Sequence, residues 1–220
     1  MFVQVEQHRA VCYLPQSGQI HQVVYLHTAA EEAAKVWELS TKDFALIAIE
    51  GINWNRDLSP WYHEKVFAGG EDFEGKADEY LHLLTNSLLP KIEEACGIVP
   101  KQRYLTGYSL GGLFAVYAMY HTSIFEGIGS ISGSLWYDGF CTYVENHTIM
   151  CNPGKIYFSL GDKEAASARG SMRTVLSCTE KIAEKFRHDG IKTIFEMNPG
   201  NHFNEVPMRI WKGIRWLLQE

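Results

Sequence analysis

Gly107-Tyr108-Ser109-Leu110-Gly111 spells G-x-S-x-G, a spacing that suits a nucleophilic serine carried on a sharp turn between a strand and a helix. The flanks supply that context: Arg103-Tyr104-Leu105-Thr106 reads as a buried strand and Leu113 to Met119 as a helix. Glycines at 107 and 111 let the turn tighten and the two backbones approach closely, and Gly112 extends the small-residue surface. A serine hydroxyl is a weak nucleophile near neutral pH, so it needs a base within hydrogen-bond reach and a carboxylate to orient that base. Such a set transfers an acyl group from an ester, thioester or amide through a covalent acyl-serine. The plain alternative is that small residues beside a serine only terminate a strand.

Among the histidines after Ser109, His202 stands in Pro199-Gly200-Asn201-His202-Phe203, a loop placed after the last expected strand. His121 lies about three helical turns beyond the serine and should point away, while His147 and His188 fall at the ends of polar helices. The acid should follow the strand ending Tyr157-Phe158-Ser159-Leu160, where Asp162 and Glu164 both qualify. Asp162 also suits a turn residue that binds nearby backbone amides. The order serine, acid, histidine is that of α/β-hydrolases. The developing oxyanion needs donors, and the backbone N–H of Leu110 is the first of them.

These residues need a sheet to position them. Apolar runs alternating with amphipathic stretches imply an α/β fold, a mostly parallel sheet with helices on both faces. Strands are expected at His8 to Leu14 and Ile20 to His27, joined at a turn with Pro15, Ser17 and Gly18, and further ones at Phe44 to Ile49, Gly127 to Ser132, Lys155 to Leu160 and Ile191 to Met197. Helices are expected at Glu31 to Leu39, Lys76 to Ala95 with Pro90 as a kink or boundary, Ser171 to His188, and along a C-terminal face of Trp211, Ile214 and Leu218. The polar, aromatic-rich segment from Gly51 to Glu74 is too long for a mere connection.

At 220 residues the chain suits one domain, 1–220. Twenty Lys and Arg against 26 Asp and Glu leave a net charge of −6 without blocks, which argues against a nucleic-acid surface or a polybasic anchor and for a small-molecule partner. Met1-Phe2-Val3-Gln4-Val5-Glu6 lacks the features of an export leader and no apolar run is long enough for a membrane span, so a cytoplasmic location is expected. Cys12, Cys96, Cys141, Cys151 and Cys178 are an odd, irregular set read as reduced thiols, and the nine histidines show no metal-ligand spacing, so no metal or cofactor is expected.

G-Y-S-L-G-G at 107 to 112, S-G-S-L-W at 132 to 136, S-L-G-D-K-E at 159 to 164 and G-N-H-F at 200 to 203 occur in order along the chain. Through them the whole chain resembles the putative esterase family of α/β-hydrolases, which includes carbohydrate and siderophore esterases. The resemblance implies that Glu164, three residues after the glycine, is the acid. It also implies that Thr28, in His27-Thr28-Ala29 after a strand, supplies the second oxyanion N–H, although the family's glycine-rich versions differ there; His27 itself reads as a packed strand-end residue. Asn53 to Trp61 resembles the family's D-L-T-P loop, with Ser59 for threonine. Trp54 and Trp61 would then wall the substrate site and Arg56 would hold an anionic group, or else the tryptophans cover the sheet edge and Arg56 pairs with Asp57. Trp136 would line the acyl pocket or sit in the core. The expectation is a cofactor-free carboxylic ester hydrolase, a serine esterase using Ser109, His202 and Glu164 on a small-molecule ester. An acyltransferase of the same fold and a non-catalytic small-molecule binder are the alternatives.

Overall fold

The computed structural model describes every residue except Ser17, Phe67, Cys151, Asn152 and Glu220; the readings made of Ser17 and Cys151 fall outside it. In chain order the elements are β1 (Phe2–Val5), β2 (His8–Tyr13), β3 (Gln22–His27), α1 (Ala30–Leu39), β4 (Ala45–Glu50), α2 (Trp54–Asp57), β5 (Tyr62–His63), β6 (Phe73–Glu74) and α3 (Ala77–Leu83). They continue with α4 (Leu89–Cys96), β7 (Gln102–Tyr108), α5 (Leu110–Ala118), β8 (Gly127–Ile131), α6 (Phe140–Asn146), β9 (Lys155–Gly161), α7 (Glu164–Ser167), α8 (Val175–His188), β10 (Lys192–Asn198) and α9 (Val206–Leu218). Eight strands form one sheet in the order β1-β2-β4-β3-β7-β8-β9-β10, while β5 and β6 make a separate hairpin. Pairing is antiparallel from β1 to β2 and from β2 to β4, and parallel across the rest.

The central strands are apolar on both faces because helices cover both. Along β3, Val23 and Tyr25 join one core with Leu84, Phe114, Ile182 and Phe186, while Val24 and Leu26 join the other with Val36, Ile210, Ile214 and Leu217. Successive side chains point to opposite faces of a strand, so β3 is held between α5 on one side and α1 with α9 on the other. Burying such a side chain is worth about 1.5–3 kcal/mol.

The helix expected over Lys76 to Ala95 runs as α3 and α4 joined by a π turn, Leu84–Leu88. Pro90, the second residue of α4, has no N–H to give back to the helix, and a widened turn is one way to accommodate that defect. The Gly51 to Glu74 segment is folded on itself, holding α2 and the β5–β6 hairpin. Among the described residues no helix is long and apolar enough to cross a membrane.

His27 ends β3 fully buried beneath α5, its Nε2 2.8 Å from the Tyr80 hydroxyl and its ring against Phe114 and Tyr80. This is the packed strand-end placement. Burial lowers its imidazole from the ordinary 6.5 to about 3, so between those values the unfolded chain takes a proton that the folded one refuses. Stability is therefore expected to fall as pH drops from about 6.5 toward 3, by up to roughly 1.4 kcal/mol per unit from this group. Urea midpoints from pH 7 to 4 should show a shallower loss in His27→Gln than in wild type; parallel losses would remove His27 from the account.

Candidate active site

The turn between β7 and α5 places Ser109 at φ 56° and ψ −120°, a left-handed backbone that costs a non-glycine residue roughly 1–3 kcal/mol. Two glycines make room for it. A Cβ added to Gly107 would stand 2.2 Å from the carbonyl carbon of Gly111, and one added to Gly111 would stand 2.7 Å from the carbonyl oxygen of His27. Any side chain at either position would push strand and helix apart. The bend is also tied to the next strand, since Ser109 N–H donates to the Ile131 carbonyl and Ser134 N–H donates to the Ser109 carbonyl.

Ser109 Oγ lies 3.2 Å from His202 Nε2 and 3.3 Å from Ser134 Oγ. His202 sits in the loop between β10 and α9, and its Nδ1 is 3.0 Å from Glu164 Oε2. The structure thus brings Ser109, His202 and Glu164 into one chain of hydrogen bonds. Tyr108 donates from its hydroxyl to the His202 carbonyl, bracing the loop against the elbow. Asp162 is turned the other way: its Oδ1 accepts from Gly200 N–H at 2.8 Å, the turn role open to it from sequence.

Glu164 opens α7 and is buried. Its Oε1 accepts from Ser132 Oγ and from Gly161 N–H, each at 2.6 Å, and from Arg209 Nη1 at 3.0 Å. Burial pushes the carboxyl up, but hydrogen bonds from His202, Ser132 and the Gly161 N–H outweigh it and hold the group below its ordinary range. It is therefore ionised at neutral pH. Sequence reasoning gave no role to Ser132, Ser134 or Arg209. A signal for Arg209 exists in hindsight, since it falls within the apolar stripe of α9 beside Val206, Ile210, Gly213 and Leu217, where an arginine needs a buried partner.

A cavity of about 500 Å³ opens over Ser109. Phe73, Trp136, Met172 and Phe203 give it an apolar wall, and Lys65 and Arg169 stand among its polar lining. Leu110 and Trp136 line the cavity, whereas Trp54, Arg56 and Trp61 are not among the lining residues. Trp61 spends its ring on Tyr137, Phe140 and Tyr143 and its Nε1 on the Asp138 carbonyl at 3.0 Å. Arg56 is drawn to three carboxylates, Asp57 at 3.7 Å, Glu79 at 3.7 Å and Glu74 at 4.0 Å, and Trp54 packs on the core. From that short helix it is Asn55 that reaches the cavity. Thr28 is buried and likewise absent from the lining, although its neighbour His27 lies against Gly111. Among the described residues, no three His, Cys, Asp or Glu side chains are grouped to hold a metal ion.

The family model described as "Putative esterase" matches residues 6–206. The "Uncharacterized protein YbbA" of Bacillus subtilis (strain 168) is 30% identical over 151 residues, which is 67% of this chain and 60% of that protein, so the match takes in less than two thirds of the relative's length. Among solved structures, an IroE-like serine hydrolase from Shewanella oneidensis aligns with a TM-score of 0.80 at 17% identity, over 98% of this chain and 78% of that one. Siderophore hydrolase EstA from Aspergillus nidulans aligns at 0.74 and 19% identity, over 99% and 92%. The chain belongs to the putative esterase family and has the fold of the α/β-hydrolase esterases.

Proposed function

We propose that this protein hydrolyses carboxylic esters of small molecules through an acyl-serine intermediate. The observation that carries the reading is the hydrogen-bonded sequence Ser109 Oγ, His202 Nε2 and Nδ1, Glu164 Oε2 at the floor of the cavity. Ser109 attacks the ester carbonyl while His202 Nε2 takes its proton; Glu164 stabilises the imidazolium that results. The tetrahedral oxyanion is held by the Leu110 N–H at the start of α5. The second donor assigned here is the Thr28 N–H, on the strength of its place next to His27 beside Gly111. Collapse expels the alcohol, which leaves with the proton from His202, and a water activated by the same imidazole then releases the acid and frees Ser109.

A fluorophosphonate probe tests the class directly. Stoichiometric labelling at Ser109 is expected, whereas an intact, unreactive serine would favour the non-catalytic binder. A panel of acetyl, longer acyl, aryl, feruloyl and catecholate esters, assayed with and without alcohol acceptors, then names the substrate. Acceleration of acyl-enzyme breakdown by a sugar or alcohol would replace hydrolysis with acyl transfer.

The cavity lining makes a prediction within that panel. Trp136→Ala and Phe73→Ala should each change the kcat/KM ratio of aryl to acetyl esters by about tenfold or more, the scale of a lost apolar contact. Trp54→Ala should leave the ratio unchanged. The opposite pattern would return substrate selection to the α2 segment.

A further inference from the structure

Arg209 is the least expected residue near the site. Its side chain is 1% exposed and faces a Glu164 side chain that is 4% exposed. A buried ion pair is a poor source of stability, because desolvating the two charges offsets most of their attraction. A leucine would suit the apolar stripe of α9 as well. What the guanidinium does differently is join three pieces of chain. Nη1 donates to Glu164 Oε1 at 3.0 Å and to Ser132 Oγ at 3.3 Å, and Nη2 donates to the Pro199 carbonyl at 2.9 Å. Pro199 begins the loop that carries His202, so one planar group spans the acid and the loop of the base. Ser132 completes the cradle from the end of β8, where a φ of 47° bends the chain and the hydroxyl donates to the same carboxylate oxygen.

We propose that Arg209 is a positioning residue of the hydrolytic site, a buried permanent cation that keeps Glu164 ionised and turned toward His202 while fixing the loop of the base. The proposal rests on the reading of Ser109, His202 and Glu164 as the reacting set. Glu164 has two oxygens and two duties: Oε1 is occupied by Arg209, Ser132 and Gly161, leaving Oε2 for His202. With Oε1 released, the carboxylate is free to rotate and the base loses its fixed partner. Two other ionisable groups touch this assembly: Tyr108, which donates to the His202 carbonyl and whose phenol is pushed up by burial, so it stays neutral, and Asp162, whose carboxylate accepts from the Gly200 N–H of the same loop and is left in place by every variant tested.

Removing the cation should move the acid limb of the kcat/KM profile to higher pH. With Arg209 gone, Glu164 holds its own proton more tightly and His202 no longer has a positive neighbour beyond the carboxylate. Both changes act in the same direction. For Arg209→Gln the expected shift is on the order of one pH unit, the scale of one nearby charge lost at an effective dielectric of about 20, with kcat reduced about a hundredfold and KM within about threefold. Arg209→Lys keeps the charge but cannot reach Glu164 and Pro199 together. Its limb should stay in place while kcat falls about tenfold.

Ester hydrolysis is measured from pH 5 to 9 on both variants after their melting curves, with Ser109→Ala as a control. A folded glutamine variant with the wild-type limb would overturn the electrostatic role, and a folded lysine variant at wild-type kcat would overturn the positioning role. If glutamine does not fold, the lysine variant alone decides between positioning and mere packing. Turnover that survives Ser109→Ala would instead sink the underlying reading of the site.

Discussion

Ser109→Ala is expected to lower kcat by on the order of a millionfold and to abolish fluorophosphonate labelling. The magnitude follows from cooperativity: a base and an acid without a nucleophile have nothing to activate, so loss of the serine costs about as much as loss of the whole set. What remains is the rate that oxyanion donors and substrate binding give to attack by water. The substitution is conservative for the fold, since it removes one oxygen at a position whose backbone is held by the Ile131 carbonyl and the Ser134 N–H. Loss of activity with an unchanged melting temperature is therefore the informative outcome. Esterase turnover near the wild-type level in folded Ser109→Ala would refute the assignment.

Glu164→Gln should reduce kcat roughly ten-thousandfold, the scale observed when a triad acid is made neutral. The amide keeps the shape of the side chain but loses the charge that stabilises imidazolium, and its NH₂ offers a donor where His202 Nδ1–H needs an acceptor. It also leaves Arg209 facing a neutral group, so the comparison belongs between variants with matched melting temperatures. Glu164→Asp, which keeps the charge but shortens the reach, gives a second measurement and should fall between the two. Asp162→Asn should cost less than about tenfold, because the carboxamide oxygen can still accept from the Gly200 N–H that Asp162 now binds. If Asp162→Asn proved the more damaging change, the acid would be Asp162 and the contacts of Glu164 would be structural.

Much of the architecture was legible before any coordinates. The stretches at 44–49, 103–106 and 155–160 were readable as strands and lie buried because both faces of the parallel sheet are covered, and residues near 80–92 and the face of Trp211, Ile214 and Leu218 repeat at helical spacing because only one face is covered. Weak local signals were missed. β1 is four residues long and half exposed, and α6 is short with Phe140 and Val144 as its buried positions. The segment of Trp54, Arg56 and Trp61 stayed open between two readings for a different reason. Two tryptophans and an arginine in a long loop are suitable binding chemistry, but whether they bind depends on what else competes for them. Trp61 finds three aromatic rings, and Arg56 finds three carboxylates contributed by α2, β6 and α3.

The sequence by itself determined the elbow at Ser109, the order of serine, carboxylate and histidine, and the α/β class. Each of these is written in spacings of a few residues, where backbone geometry and side-chain periodicity act directly. Local residue patterns left Asp162 and Glu164 both open, with only the family resemblance favouring Glu164; the tertiary structure shows which carboxylate faces His202, which aromatic residues wall the cavity, and that Arg209 and Ser132 enclose Glu164. His202 and Ser109 are 93 residues apart in the chain, Glu164 and Arg209 are 45 apart, and Asp162 and Glu164 share one turn yet point to different partners. Such meetings depend on how β8, β9, β10 and α9 are stacked around the sheet and on which side chain wins each buried hydrogen bond. No local pattern of residues carries that competition.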